Sequence, residues 1–217
     1  STLLASSAAS DVYKRQGIYS YIYTICTILY IVGNSMENAW SPWVFYTLDS
    51  GDKKRIGRAG KDYVTVFALL TIGFFCVMPE VTKIMAGSNY WGGISLIIPL
   101  TFGNFFVFMY GLPVNMEYYH KKTGFISIGT ILAAGLNAVL NYFGIILFGY
   151  QVAAYTTFFS YGMLFLFHWF IANKYGVSEL YSFKFLLNRT ALVLILGFVV
   201  LLTDGTSDAP GLSLIHI

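Results

Sequence analysis

TGFISIGTILAAGLNAVLNYFGIILFGYQVAAYTTFFSYGMLFLFHWFIAN, the stretch from Thr123 to Asn173, contains no Asp, Glu, Lys or Arg. A helix crosses the hydrocarbon of a bilayer with about 20 mostly apolar residues. The stretch is therefore too long for one span. Phe148-Gly149-Tyr150-Gln151 is its natural turn, and it divides the stretch into spans over Phe125–Leu147 and Val152–Asn173. Four more candidates flank these two. Ile18 to Leu48 is long and interrupted by polar residues. Tyr63 to Met78 is ended by Pro79, and Trp91 to Tyr118 follows. Phe183 to Leu202 carries Lys184 and Arg189 in its first half, where long cations snorkel to the interface.

The composition agrees with this reading. Of 217 residues, 57% are hydrophobic and 11% are charged, with 19 Phe and 17 Tyr. A soluble domain carries roughly 25% charged residues, so this chain lacks the charge to cover a water-facing surface. An ordinary soluble enzyme, a disordered chain and a secreted disulfide scaffold are excluded, and a polytopic all-α membrane protein remains. The net charge of +3 is too small to suggest nucleic acid. Cys26 and Cys76 both lie in apolar runs and read as small packing residues. Residues 1–16 are small and polar and have no signal-peptide core. Together with residues 212–217 they resemble translated cloning adaptor, so the expected native part is 17–211, a piece of a longer frame.

Lys and Arg mark the cytoplasmic side. One connection carries Lys53, Lys54, Arg55, Arg58 and Lys61, and another carries Lys121 and Lys122. Lys174, Lys184 and Arg189 lie around the last connection. The intervening connections, Pro79–Tyr90 and Phe148–Gln151, hold only Lys83. The pattern predicts six spans with the Gly17 end outside. Lys53 to Lys61 is expected to be a solvated cytoplasmic basic loop that attracts anionic lipid.

Polar residues inside a span mark packing contacts or a pathway. In the first span, Asn34, Asn38 and Ser41 fall at helical spacing on one face, and Glu37 lies on the same side. Pro42 removes a backbone hydrogen bond and is expected to kink the helix. Such a stripe suits either a water-filled cavity or an over-long helix whose acid reaches headgroups. In the fourth span Gly129, Ala133, Asn137 and Asn141 recur every four residues, as in a helix contact or a substrate-facing surface. His168, among Phe165, Phe167 and Trp169, reads as an interfacial or hydrogen-bonded residue rather than a proton relay. Gly57 to Asp62 lacks the spacing of a phosphate loop, and no cluster has metal-ligand or Ser/His/Asp character. No catalytic residue, metal or cofactor is expected, and Asn188-Arg189-Thr190 falls on the cytoplasmic side, where a glycosylation sequon has no use.

Asn38-Ala-Trp-Ser-Pro-Trp-Val-Phe-Tyr46 followed by Ser50-Gly-Asp52 resembles the aromatic-proline helix of bacterial polysaccharide (O-antigen type) flippases. Pro79 to Gly87 with Tyr90 is similar to the outer connection of that family. Lys122-Thr123, Ile126-Ser-Ile128, Ala133-Ala134, Asn137 and Leu140-Asn141 resemble its next helix, and Gly149 with Ala153 to Thr157 and Ser160-Tyr161 the following one. The likeness covers about Gly17 to Gly176. Leu147-Phe148-Gly149 departs from the Ile-Pro that often precedes the Gly, and spans one to five lack an embedded Arg or Lys.

The resemblance implies the multidrug/oligosaccharidyl-lipid/polysaccharide exporter superfamily, with this chain as most of the C-terminal lobe of a two-lobed transporter. It implies residence in the bacterial cytoplasmic (inner) membrane. It also implies an undecaprenyl-diphosphate-linked oligosaccharide as substrate, for lipopolysaccharide or other surface polysaccharide. The missing N-terminal lobe and membrane lipids would be partners, with H+ or Na+ as coupling ion and no nucleic acid. Asn34, Asn38, Trp40, Ser41, Asn137 and Asn141 are then candidates for the sugar pathway, and Glu37 for coupling. An ion-coupled multidrug or small-molecule exporter shares the fold and is the alternative. A membrane-embedded polysaccharide polymerase would need a large outer loop with Arg, His or carboxylates, which the sequence lacks.

Overall fold

The structure is a computed structural model that describes residues 2–206; the expectation about 212–217 lies outside the described residues. It is all-helical, with no strand among the described residues. α1 runs Thr2–Asp49 and α2 Lys53–Met85; a 3-10 segment, Ser88–Leu96, leads into α3, Ile97–Tyr119. Then come α4, Thr123–Phe148, α5, Val152–Asn173, the short α6, Val177–Leu180, and α7, Phe183–Thr206. α3 packs against α1, α2 and α5, whereas α4 leans on α5 and only touches α3. α7 packs on α2.

Four stretches are long and apolar enough to cross a membrane: Lys53–Met85, Ser88–Tyr119, Thr123–Phe148 and Phe183–Val200. These are four of the six spans expected from hydropathy; the other two expected spans fall in α1 and α5. α1 and α5 fall short because of polar residues, and in α5 several of these turn inward: Thr156, Ser160 and His168 are buried. α1 has 48 residues, about 70 Å at ~1.5 Å per residue, against a hydrocarbon core of about 30 Å. It starts well before the expected Ile18 and includes residues 2–16.

The basic run is not a loop. Lys53, Lys54, Arg55, Arg58 and Lys61 are exposed on the first turns of α2. Two local causes make it helical. Asp52 caps the helix, its Oδ1 accepting the Arg55 N–H at 3.1 Å, and its charge offsets cations crowded at the positive end of the dipole. Ile56, Gly60 and Val64 also form a buried face at helical spacing. Gly57 and Gly60 allow close approach: a β-carbon at Gly57 would lie 2.8 Å from the Leu180 carbonyl oxygen, and one at Gly60 would meet the Tyr181 ring. The far end of α2 differs too. Pro79 lies inside the helix, which continues to Met85. Pro42 likewise lies inside an unbroken α1, so neither proline ends its helix. The turn after α4 is made at Gly149, whose φ of +84° suits a residue without a β-carbon.

Aromatic rings join the first three helices. Trp43 tilts against Trp40, which stacks on Tyr63 with centroids 4.2 Å apart. Tyr63 meets Phe108 at 4.7 Å, and Phe108 meets Phe67 at 3.8 Å. In lipid, helix association rests on such packing rather than on escape from water, and each aromatic pair contributes ~0.5–1.5 kcal/mol.

Asp52→Ala should lower stability in SDS-induced unfolding by about 1 kcal/mol, and Asp52→Asn by less, since Asn keeps the cap. Gly57→Val should lower it by about 1–3 kcal/mol, because the atom it meets is backbone and the helices must part.

Candidate functional site: an acidic cleft between two helices

A cleft of ≈ 560 Å³ opens between α1 and α3. From α1 it takes Asn34, Glu37 and Ser41, and from α3 it takes Asn104 and Asn115. Tyr30, Phe108, Tyr110 and Tyr118 supply rings. Gly111 makes room for the acid: a β-carbon there would lie 2.9 Å from Glu37 Oε2.

Glu37 is the centre of a hydrogen-bonded cluster. Asn115 Nδ2 donates to Glu37 Oε1 at 2.6 Å, and the Tyr63 hydroxyl donates to Oε2 at 2.9 Å. Ser41 Oγ lies 2.8 Å from Glu37 Oε1 and 2.7 Å from Asn115 Oδ1. A serine hydroxyl has one proton to give. With a carboxylate at Glu37 it serves one of the two oxygens and leaves the other facing it. With a carboxylic acid the ring closes: Glu37 donates to Ser41, Ser41 to Asn115, and Asn115 back to Glu37. The cluster therefore has a place for one proton in its existing geometry.

The cations lie elsewhere. Lys53 pairs with Glu179 at 2.6 Å on an exposed surface, where such a pair contributes little. Lys83 pairs with Glu80 at 3.0 Å. Asn104 Nδ2 donates to the Cys26 carbonyl at 2.8 Å, and the Tyr119 hydroxyl donates to Asp49 at 2.8 Å. Both bonds tie α1 to α3. Cys26 is buried beside Thr101, and Cys76 is exposed.

The sequence candidates divide. Asn34, Glu37 and Ser41 come together in the cleft. Asn38 is exposed and does not line it, because its direction lies at the far edge of the stripe. Trp40 is buried between Trp43 and Tyr63, so its faces are covered. Asn137 and Asn141 face α5: Asn141 Nδ2 donates to Asn137 Oδ1 at 3.0 Å, Asn137 Nδ2 to Thr157 at 3.4 Å, and Thr156 to Asn141. Of the two readings of that stripe, the geometry is that of a helix contact. His168 is hydrogen-bonded, and its partner is Glu117.

Asn115, Tyr63 and Glu117 were not singled out from sequence. Asn115 and Tyr63 lie 78 and 26 residues from Glu37 along the chain, and no local spacing announces such a partner. No protein-family profile, curated protein or solved structure matches the chain.

Asn115→Leu leaves Glu37 and Ser41 short of partners and should cost about 1–3 kcal/mol in SDS unfolding. Tyr63→Phe keeps the ring stack and should cost about 1 kcal/mol. Asn38→Ala should be near neutral.

Proposed function

We propose that the chain is one lobe of a flippase that moves lipid-linked oligosaccharide units across the bacterial cytoplasmic membrane. The observation that supports this most is the make-up of the cleft. It is a largely apolar, ring-lined cleft into which a few amides and one acid converge, and its size falls within the roughly 300–1,000 Å³ of small-molecule sites. Amides bind sugar hydroxyls in either donor sense, and aromatic rings cover the apolar faces of sugars. Asn34, Asn104 and Asn115 would supply the first, Tyr30, Tyr110 and Tyr118 the second.

A sugar headgroup does not cross hydrocarbon unaided, since each unpaired polar group costs several kcal/mol there. A hydrated cleft carries it while the lipid tail stays in the bilayer. In this reading α1, α2, α3, α4, α5 and α7 all cross the membrane, with the Gly17 end outside and the basic start of α2 cytoplasmic. The exposed residues of α4, among them Ile131, Leu132, Phe143 and Ile146, face lipid or a second lobe. Rocking of the lobes alternates access, and the Glu37 cluster couples this to a proton because it accepts one without repacking.

A second reading has its own observation. An acid among rings also suits an organic cation, through charge and cation–π attraction, and this would make the chain part of a small-molecule exporter.

Glu37→Gln, in the intact reading frame expressed in a flippase-deficient host, should abolish surface polysaccharide at unchanged protein level. Undiminished surface polysaccharide would remove Glu37 from the mechanism. Restored resistance to cationic drugs without surface polysaccharide would select the exporter reading.

A further inference from the structure

A second acid lies outside the cleft, in the α3–α5 contact. Glu117 and His168 have no exposed side-chain surface. Glu117 Oε1 lies 2.8 Å from His168 Nδ1. Glu117 Oε2 and His168 Nε2, both buried, have no hydrogen-bond partner. The Nε2 edge points at α4: a β-carbon at Gly129 would collide with it, and the Phe167 ring closes on the same glycine.

The ionisable neighbours are few. Tyr110 of α3 sets its ring against His168, centroids 5.1 Å apart; its other neighbours are Tyr118 of α3, Glu37 of α1 and the hydroxyl of Thr130 of α4. α4 holds no charged residue. Glu179 of α6 is held by Lys53, and Lys121, Lys122 and Lys174 are exposed in turns.

We propose that Glu117 and His168 form a proton-binding site, separate from the cleft, whose occupancy sets how closely α4 packs on α5. With one shared proton, Nδ1–H donates to the Glu117 carboxylate. Nε2 is then a bare lone pair, and it can lie against the Gly129 Cα–H. This state buries a net negative charge, which is costly in a sealed site. A second proton, taken from bulk water, forms an N–H bond at Nε2 and brings the pair from net −1 to neutral. That N–H points at Gly129, where the backbone of α4 is engaged in its own helix, and a buried donor without an acceptor is unfavourable. For a proton at Nε2, rather than at Glu117 Oε2, the other unpartnered atom, charge and packing thus pull in opposite directions. α4 is the element free to respond, since it leans on α5 and only touches α3.

The test uses nitroxides on native Cys76, which is exposed, and on α4 through Ala134→Cys, in phosphatidylcholine vesicles. Pulsed EPR should give a longer or broader distance at about pH 5 than at about pH 8, the range in which histidine changes charge. His168→Gln and Glu117→Gln should abolish the change, while Glu37→Gln should retain it. Gly129→Ala should hold the wide spacing at both pH values. Equal distances at the two pH values, or a shift that survives in His168→Gln, would overturn the proposal. Should those variants not fold, ¹⁵N-histidine NMR of the unaltered chain decides: Nε2 of His168 gains a proton across the range, and failure to do so sinks the idea. Neither readout involves transport, so the result stands apart from the substrate carried by the cleft.

Discussion

α3 is buried almost all round: Ile97 to Gly103, Phe105, Phe108, Met109 and Gly111 to Glu117 are all inside. Away from the cleft, a helix so enclosed has no water to satisfy its polar side chains. They find partners on the neighbouring helices α1 and α5. Thr101 and Asn104 reach Cys26 of α1. Asn115 reaches Glu37 of α1, and Glu117 reaches His168 of α5. These few bonds fix the register of α1 and α5 on the central helix, which ring packing alone does not do.

The same constraint explains which parts of the fold were legible. The charge-free stretch from Thr123 to Asn173 betrays the turn between α4 and α5, because length and a glycine suffice. The stripe at Asn34, Glu37 and Ser41 is visible because helical periodicity is local. Lys53 to Lys61 misleads, since exposed cations look alike on a loop and on the solvent side of a helix. The cap at Asp52 and the buried face at Ile56, Gly60 and Val64 decide between them. Trp40 misleads for a similar reason: a tryptophan beside polar residues suits sugar binding until Trp43 and Tyr63 are seen to cover it. Asn115 and Glu117 were silent because their partners lie 78 and 51 residues away.

The two buried acids differ in what surrounds them, and so in what a proton does to each. Glu37 is half-buried in a cleft, with Ser41, Asn115 and Tyr63 as hydroxyl or amide partners. Only the bond between Ser41 and Glu37 need reverse, while Asn115 and Tyr63 go on donating to Glu37, so the cluster keeps its shape. Glu117 is sealed against an imidazole, and beyond the imidazole lies only a glycine Cα. A proton added at Nε2 finds no acceptor, so it presses on α4. A site that absorbs protonation in place is suited to sense or carry a proton. A site that is forced to repack is suited to move a helix. Tyr110 touches both, with its ring against His168 and its face lining the cleft. A change in the packing of α4 on α5 therefore reaches the wall of the cleft through one side chain, without α3 itself having to shift.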